Sequence, residues 1–260
     1  MIFKKQNFKE TNDQLWSGYK KGIHLTHPSF VRMDPRLEHP FTCLVAGPTM
    51  CGKTELVKKL VETLPQSIKL PKSPPIEDII WCYGEWQPSY ESLEQHGVRF
   101  VQGVLNSEDL NPNIPHLVIL DDLMDQTDKR ICQFFTRGCH HRNASVIYIV
   151  QNLFNGHKDH RTISLNCQYM ILFKNPRDCR QIKYLANQMF HKDGQCMTEG
   201  FNDATNEAYG YLLVDLKQDT PTCMRLRSKN FDTHPVVYVP KGIKIDSQYL
   251  PPHSQTICRS

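Results

Sequence analysis

No stretch of this 260-residue chain approaches the ~18 consecutive apolar residues that a membrane-crossing helix needs, which excludes a helical spanning protein. Mean hydropathy of −0.50 agrees. The opening residues, MIFKKQNFKETNDQ, lack an apolar h-region, so the expectation is a non-secreted, intracellular protein. Ten cysteines are present, but no two are spaced C-x-x-C, which argues against a zinc ribbon or a dithiol redox pair. In a reducing compartment they are expected to be thiols packed as small apolar groups. His140-His141 and the His157 to His160 cluster have no second group at zinc spacing, and they read as surface or loop histidines rather than ligands. No internal repeat, low-complexity tract or Asn-Lys-x-Asp guanine reader occurs. Lys and Arg number 31 against 27 Asp and Glu, a net charge of +4, which permits a polyanionic partner without demanding one.

What is present reads as one large domain with arms. Residues 1–38 carry many charges and turn formers and are expected to be an N-terminal arm; 39–230 form the domain; 231–260, with four prolines, form an extended C-terminal arm. Short apolar runs at Phe41–Ala46, Asp78–Tyr83, Val98–Gln102, His116–Leu120, Ala144–Val150 and Gln168–Phe173 have the pattern of strands buried on both faces of a parallel sheet. Helical stretches are expected over Thr54–Leu64, where Pro65 stops the run, and over Pro88–His96, Asp128–His140 and Arg177–Phe190. The four prolines within 65–76 read as a surface loop, and Tyr209–Leu216 with Cys223–Ser228 as a C-terminal hairpin. Alternating strand and helix gives an α/β class with a mainly parallel, doubly wound sheet.

Gly47-Pro48-Thr49-Met50-Cys51-Gly52-Lys53-Thr54 fits the phosphate-loop pattern G-x-x-x-x-G-K-S/T in full, with a strand before it and a helix after it. The glycines let backbone N–H groups turn inward as an anion nest, and the helix N-terminus adds positive partial charge. Lys53 is expected to reach the β- and γ-phosphates of ATP, and Thr54 to ligate magnesium through its hydroxyl. A glycine turn with an incidental Lys-Thr is the bland alternative. Met50 is bulky for such a loop, at a position that points away from ligand.

The run His116–Leu120 ends in two carboxylates, Asp121 and Asp122. In a parallel sheet the ligand crevice lies at the carboxyl ends of the strands. Asp121 is therefore expected to hold magnesium, and Asp122 to orient or deprotonate the attacking water. A plain Asp-Asp turn is the alternative. The strand Ala144–Val150 ends in Gln151, which is placed to bond the γ-phosphate or the lytic water, unless it simply begins a polar loop. The following segment, LFNGHKDHR at 153–161, is read as a loop whose basic residues either touch nucleic-acid phosphates or form an ordinary solvated surface.

Taken together, the segments HPFTCLVAGPTMCGKTELV (39–57), HLVILDDLM (116–124), CHHRNASVIYIVQNLF (139–154) and NCQYMILFKNPRDCRQIKYLA (166–186) resemble the FtsK–HerA superfamily of P-loop ATPases. The nearer likeness is to the genome-packaging ATPases of poxvirus-type and Polinton/Maverick, adintovirus-like, elements. The resemblance spans residues 39–190. It implies a three-layer P-loop NTPase fold and a homo-oligomeric ring that uses ATP and magnesium to pull double-stranded DNA into a capsid, with capsid proteins as partners and no membrane. It implies activity at sites of virion assembly in a host cell. It also implies an arginine that stabilises the transferring phosphate, often from a neighbouring subunit; Arg142 and Arg177 are the candidates, and either could instead be a helix-end or surface residue. One departure is Asp122, where the superfamily often has Glu; the shorter arm sets the carboxylate about one methylene further from the water.

Rival readings are a small-molecule kinase, a GTPase switch, an AAA+ or helicase-type ATPase, and a nucleotide-binding scaffold without turnover. A kinase would need an arginine-rich lid, and a GTPase the guanine reader noted above as missing.

Overall fold

The computed structural model describes residues 3–7, 34–70, 74–123, 129–154, 158–190, 194–232 and 235–240. In chain order the elements are β1 (Phe3–Asn7), β2 (Leu37–Glu38), β3 (Thr42–Ala46), α1 (Lys53–Glu62), α2 (Leu64–Ser67), β4 (Ile68–Lys69), β5 (Asp78–Tyr83), a 3-10 helix (Pro88–His96), β6 (Val98–Gln102) and β7 (His116–Asp121). Then come α3 (Lys129–Gln133), a π-turn (Phe134–Gly138), α4 (Cys139–His141), β8 (Ala144–Val150), α5 (Lys158–Asn166), β9 (Tyr169–Phe173), α6 (Arg180–Met189), α7 (Gly194–Ala204), β10 (Tyr211–Asp215), β11 (Leu226–Ser228) and β12 (Val236–Pro240). A ten-stranded sheet takes the order β1-β12-β11-β10-β9-β3-β8-β7-β5-β6. From β9 to β6 every pairing is parallel. From β9 to β1 every pairing is antiparallel.

Alternate residues of the inner strands explain the layering. Leu44, Ala46, Val118, Leu120, Val146 and Tyr148 face one core, which also takes Ile131, Phe134, Ile163, Ile182, Leu185, Met197 and Phe201 from α3 through α7. Cys43, Val45, Leu117, Ile119 and Ile147 face the other, against Val57, Leu60 and Val61 of α1 and Tyr90 and Leu93 of the 3-10 helix. Strands covered on both sides have no polar face to present, and this is why they read as continuous apolar runs. The result is a three-layer α/β fold. Among the described residues no helix is long and apolar enough to cross a membrane. The described cysteines are all free thiols; most are buried, and Cys179 is exposed.

Several expectations change. Residues 65–76 are not wholly loop: Pro65 sits in the first turn of α2, where its missing N–H is no loss, and β4 pairs with β2. The helix expected over Asp128–His140 is continuous from Lys129 to His141, Asp128 lying outside the described residues, but its middle is the π-turn, in which the Thr136 hydroxyl bonds back to the Cys132 carbonyl at 2.9 Å, a contact that bends helices. The helix expected from Arg177 starts at Arg180, because Asn175 and Asp178 fold the preceding residues into a turn, accepting from the Arg177 and Arg180 N–H groups at 3.0 Å each. Part of the 153–161 segment is helical, since α5 begins at Lys158. His160 on that helix is buried near Tyr148 rather than on the surface. β1 and β12 lie in the stretches read as terminal arms, and both pair into the main sheet. The C-terminal hairpin is present as β10 and β11, joined by a buried Asp215–Arg227 ion pair at 2.8 Å.

Candidate functional site: a phosphate loop facing an acidic strand end

The loop between β3 and α1 lies at the carboxyl edge of the sheet. Its start is tied to β8 by the Gly47 N–H, which donates to the Val150 carbonyl at 3.2 Å. Gly47 is required by packing: a Cβ there would lie 2.6 Å from Phe173 Cβ on β9 and 2.7 Å from Cys51 Sγ. Gly52, at φ of 96°, supplies the left-handed turn into α1 and offers no side chain to cap it. The first N–H groups of α1 are thus left for an anion. Met50, at the tip, is 91% exposed and points away. Burial raises the Cys51 pKa against the opposing charge of Lys53, so this side chain stays a thiol.

Lys53 is buried, and its ammonium donates to the carbonyls of Gly47 and Pro48 at 2.8 Å each. Burial pulls its pKa down, while Cys51, Asp121 and Asp122 pull it up. The Thr54 hydroxyl reaches across to β7 and donates to Asp121 Oδ2 at 3.2 Å. The two segments that the sequence singled out separately therefore meet. Asp121 is 3% exposed, and burial pushes its pKa up, with Asp122 adding to the effect. Hydrogen bonds from Tyr90 and Thr54 oppose the shift.

Tyr90 is a residue that sequence reasoning missed. Its hydroxyl donates to Asp121 Oδ2 at 2.9 Å, and its own pKa is driven up by burial and then by the Asp121 charge. It is fully buried, with ring contacts to Trp81, Tyr83, Trp86 and Phe100. Nothing in its local sequence marks it, because its role comes from the 3-10 helix packing over β5 and β7. Gly84 was missed for a similar reason. A Cβ on it would lie 2.3 Å from the Asp122 carbonyl, so only glycine lets the end of β5 lie against the acidic pair. Asp122 is exposed and left-handed at φ of 54°, a conformation that Asp adopts more readily than most residues.

Gln151 follows Val150 directly and shares the wall of a cavity of about 170 Å³ with Gly47, Asn175 and Asp178. Arg177 is exposed on the turn after β9, at the same edge of the sheet. Arg142 is not brought to the loop of its own chain. It precedes β8, at the amino edge, and the seven residues of that strand set it about 23 Å from the loop side.

Among the described residues no group of three or more His, Cys, Asp or Glu could hold a metal. The pair Thr54–Asp121 suits magnesium nonetheless, because that ion takes one or two protein ligands and completes its shell with phosphate oxygens and water. The donor set, an uncapped helix start and a buried lysine fit a magnesium-bound triphosphate.

No family model matches the sequence, and no curated protein matches it. Solved structures do match. One is the genome packaging NTPase B204 from Sulfolobus turreted icosahedral virus 2 in complex with ATP-gammaS, at 14% identity and a TM-score of 0.47, over 72% of this chain and 96% of that one. Another is the cytoplasmic domain of the Thermomonospora curvata Type VII Secretion ATPase EccC, at 14% identity and a TM-score of 0.45, over 76% of this chain and 25% of that one.

Proposed function

We propose that this chain is an ATP hydrolase that moves double-stranded DNA and packages a viral or virus-like genome into a capsid, working as a homo-oligomeric ring docked to capsid proteins at sites of virion assembly. The observation that supports hydrolysis is the Thr54–Asp121 contact, with Lys53 held in the same loop. The DNA, ring and capsid parts rest on the resemblance of the motif segments.

On this reading the Gly47–Thr54 backbone cradles the phosphates, and Lys53 exchanges its two carbonyl partners for β- and γ-phosphate oxygens. Thr54 and Asp121 hold magnesium, which when bound neutralises charge on those oxygens. Tyr90 holds the Asp121 carboxylate in place and, by donating to it, favours its ionised form against the effect of burial. Asp122 accepts a proton from the attacking water, and Gln151 orients that water. Arg177 supplies positive charge from the loop's own edge. Arg142 serves only from another subunit, because its own loop lies at the far edge. Arg137, His140, His141, Arg142, Lys158 and Arg161 are the basic positions assigned to DNA or to a subunit interface. Arg137, His141 and Arg142 line a groove of about 510 Å³ together with Lys129, Glu108 and Asp159.

Phosphate release by the full chain, with and without double-stranded DNA, tests the reading. Wild type is expected to hydrolyse ATP faster with DNA, and the doubly reversed Lys158→Glu, Arg161→Glu variant to lose that stimulation. Hydrolysis indifferent to DNA would contradict the motor and leave an ATPase. Stimulation unchanged in the variant would remove these two residues from the DNA path.

A further inference from the structure

Tyr209 is a large aromatic side chain left 71% exposed two residues before the start of β10. Its φ of 62° is left-handed, a conformation that a bulky residue rarely holds. The chain behind it is pinned. A Cβ on Gly210 would lie 2.3 Å from the Ala204 carbonyl, and the Gly210 N–H donates to the Glu207 carbonyl at 3.2 Å. The side chain lies against the phosphate loop: a Cβ built on Gly52 would be 3.0 Å from Tyr209 Cδ1 and 3.4 Å from its Cβ. Core packing does not account for a strained tyrosine that is mostly in solvent, and strain of this kind concentrates where ligands bind.

Its position decides what it can meet. Across the sheet the order is β10-β9-β3-β8-β7, with the loop following β3. On the proposed reading Thr54 and Asp121, which meet at 3.2 Å, would hold the metal and the terminal phosphates on the β7 side of that loop. The nucleoside is attached at the other end of the triphosphate chain, so on that reading the side of the loop open to it is the one past Gly52, toward β9 and β10. Tyr211, the first residue of β10, pairs with Phe173 at the carboxyl end of β9, so Tyr209 stands at the loop's own edge of the sheet.

We infer that Tyr209 is the platform on which the base of the bound nucleotide stacks, which makes it a specificity residue for purine nucleoside triphosphates. The inference rests on the phosphate loop being a nucleotide site. An aromatic face rewards the area of the base rather than its hydrogen-bonding edge. Purines are therefore favoured over pyrimidines, with little distinction between ATP and GTP.

Calorimetric binding of magnesium-ATP and of inorganic triphosphate to the full chain tests this. Tyr209→Ala is expected to weaken ATP about 5- to 150-fold, the range that loss of one base–aromatic stack gives, and to leave inorganic triphosphate unchanged. Tyr209→Phe should bind ATP as wild type does. Wild-type affinity for ATP in Tyr209→Ala would overturn the inference, and so would an equal loss for both ligands, which would mean that the side chain merely props the loop. Failure of the underlying reading looks different: Lys53→Ala would bind both ligands as wild type does, or wild type would bind neither, and this proposal would fall with it.

Discussion

Asp121 is held between two demands. The metal role proposed for it needs a carboxylate, and the fold buries that carboxylate almost completely. Burial raises its pKa, so over a window above the ordinary carboxylate value the folded chain keeps a proton that the unfolded chain has lost. Stability then falls as pH rises through that window, because ionisation is easier in the unfolded state. Asp121→Asn removes the charge and keeps an oxygen for Tyr90 and Thr54. Its melting temperature is expected to exceed that of wild type at pH 7–8, with the difference shrinking as pH drops toward the ordinary carboxylate range. Thermal unfolding across pH checks this, and an Asn variant less stable at neutral pH would contradict it. At this scale legibility follows sequence distance. Lys53 and Thr54 were readable because the loop is local and its chemistry dictates spacing. Tyr90, Gly84 and Tyr209 were not, because each reaches the candidate site only by contact with a segment far away in the chain.

Among the elements, the inner strands were legible almost residue for residue, since a strand covered on both faces must be apolar throughout. The helices were less so. α5 reads KDHRTISLN, too polar to show a periodic face, and α7 contains Gly194 and Gly200. Gly200 lets Tyr238 of β12 pack close to the helix, since a Cβ there would lie a tight 3.2 Å from the Tyr238 ring. The β10–β11 hairpin carries a polar anchor of its own. Asp215 accepts from Arg227 at 2.8 Å, from Thr220 at 2.9 Å and from the Lys217 N–H at 3.1 Å. Truncating one member leaves a buried guanidinium without its counter-charge, so Asp215→Ala is expected to cost about 3–5 kcal/mol. Denaturant unfolding measures it, and a loss under about 1 kcal/mol would show that water or other groups compensate.

For the whole molecule, the sequence pointed to a mainly parallel sheet but could not order its strands. The antiparallel extension through β11, β12 and β1 depends on pairings between the two ends of the chain, which no local pattern encodes. Strand order matters because it sorts the candidate residues by edge. Gly47 to Thr54, Asp121, Asp122, Gln151 and Arg177 share the carboxyl edge, while Arg142 is at the amino edge. The central claim is that the loop around Gly52 and the acids of β7 act on one triphosphate. ATP binding and phosphate release by wild type, Lys53→Ala and Asp122→Asn, measured side by side, test it most directly. Lys53→Ala is expected to lose binding, and Asp122→Asn to bind ATP but turn over about 10²–10⁴-fold more slowly, the usual weight of a general base. Equal binding and equal turnover in all three proteins would contradict it.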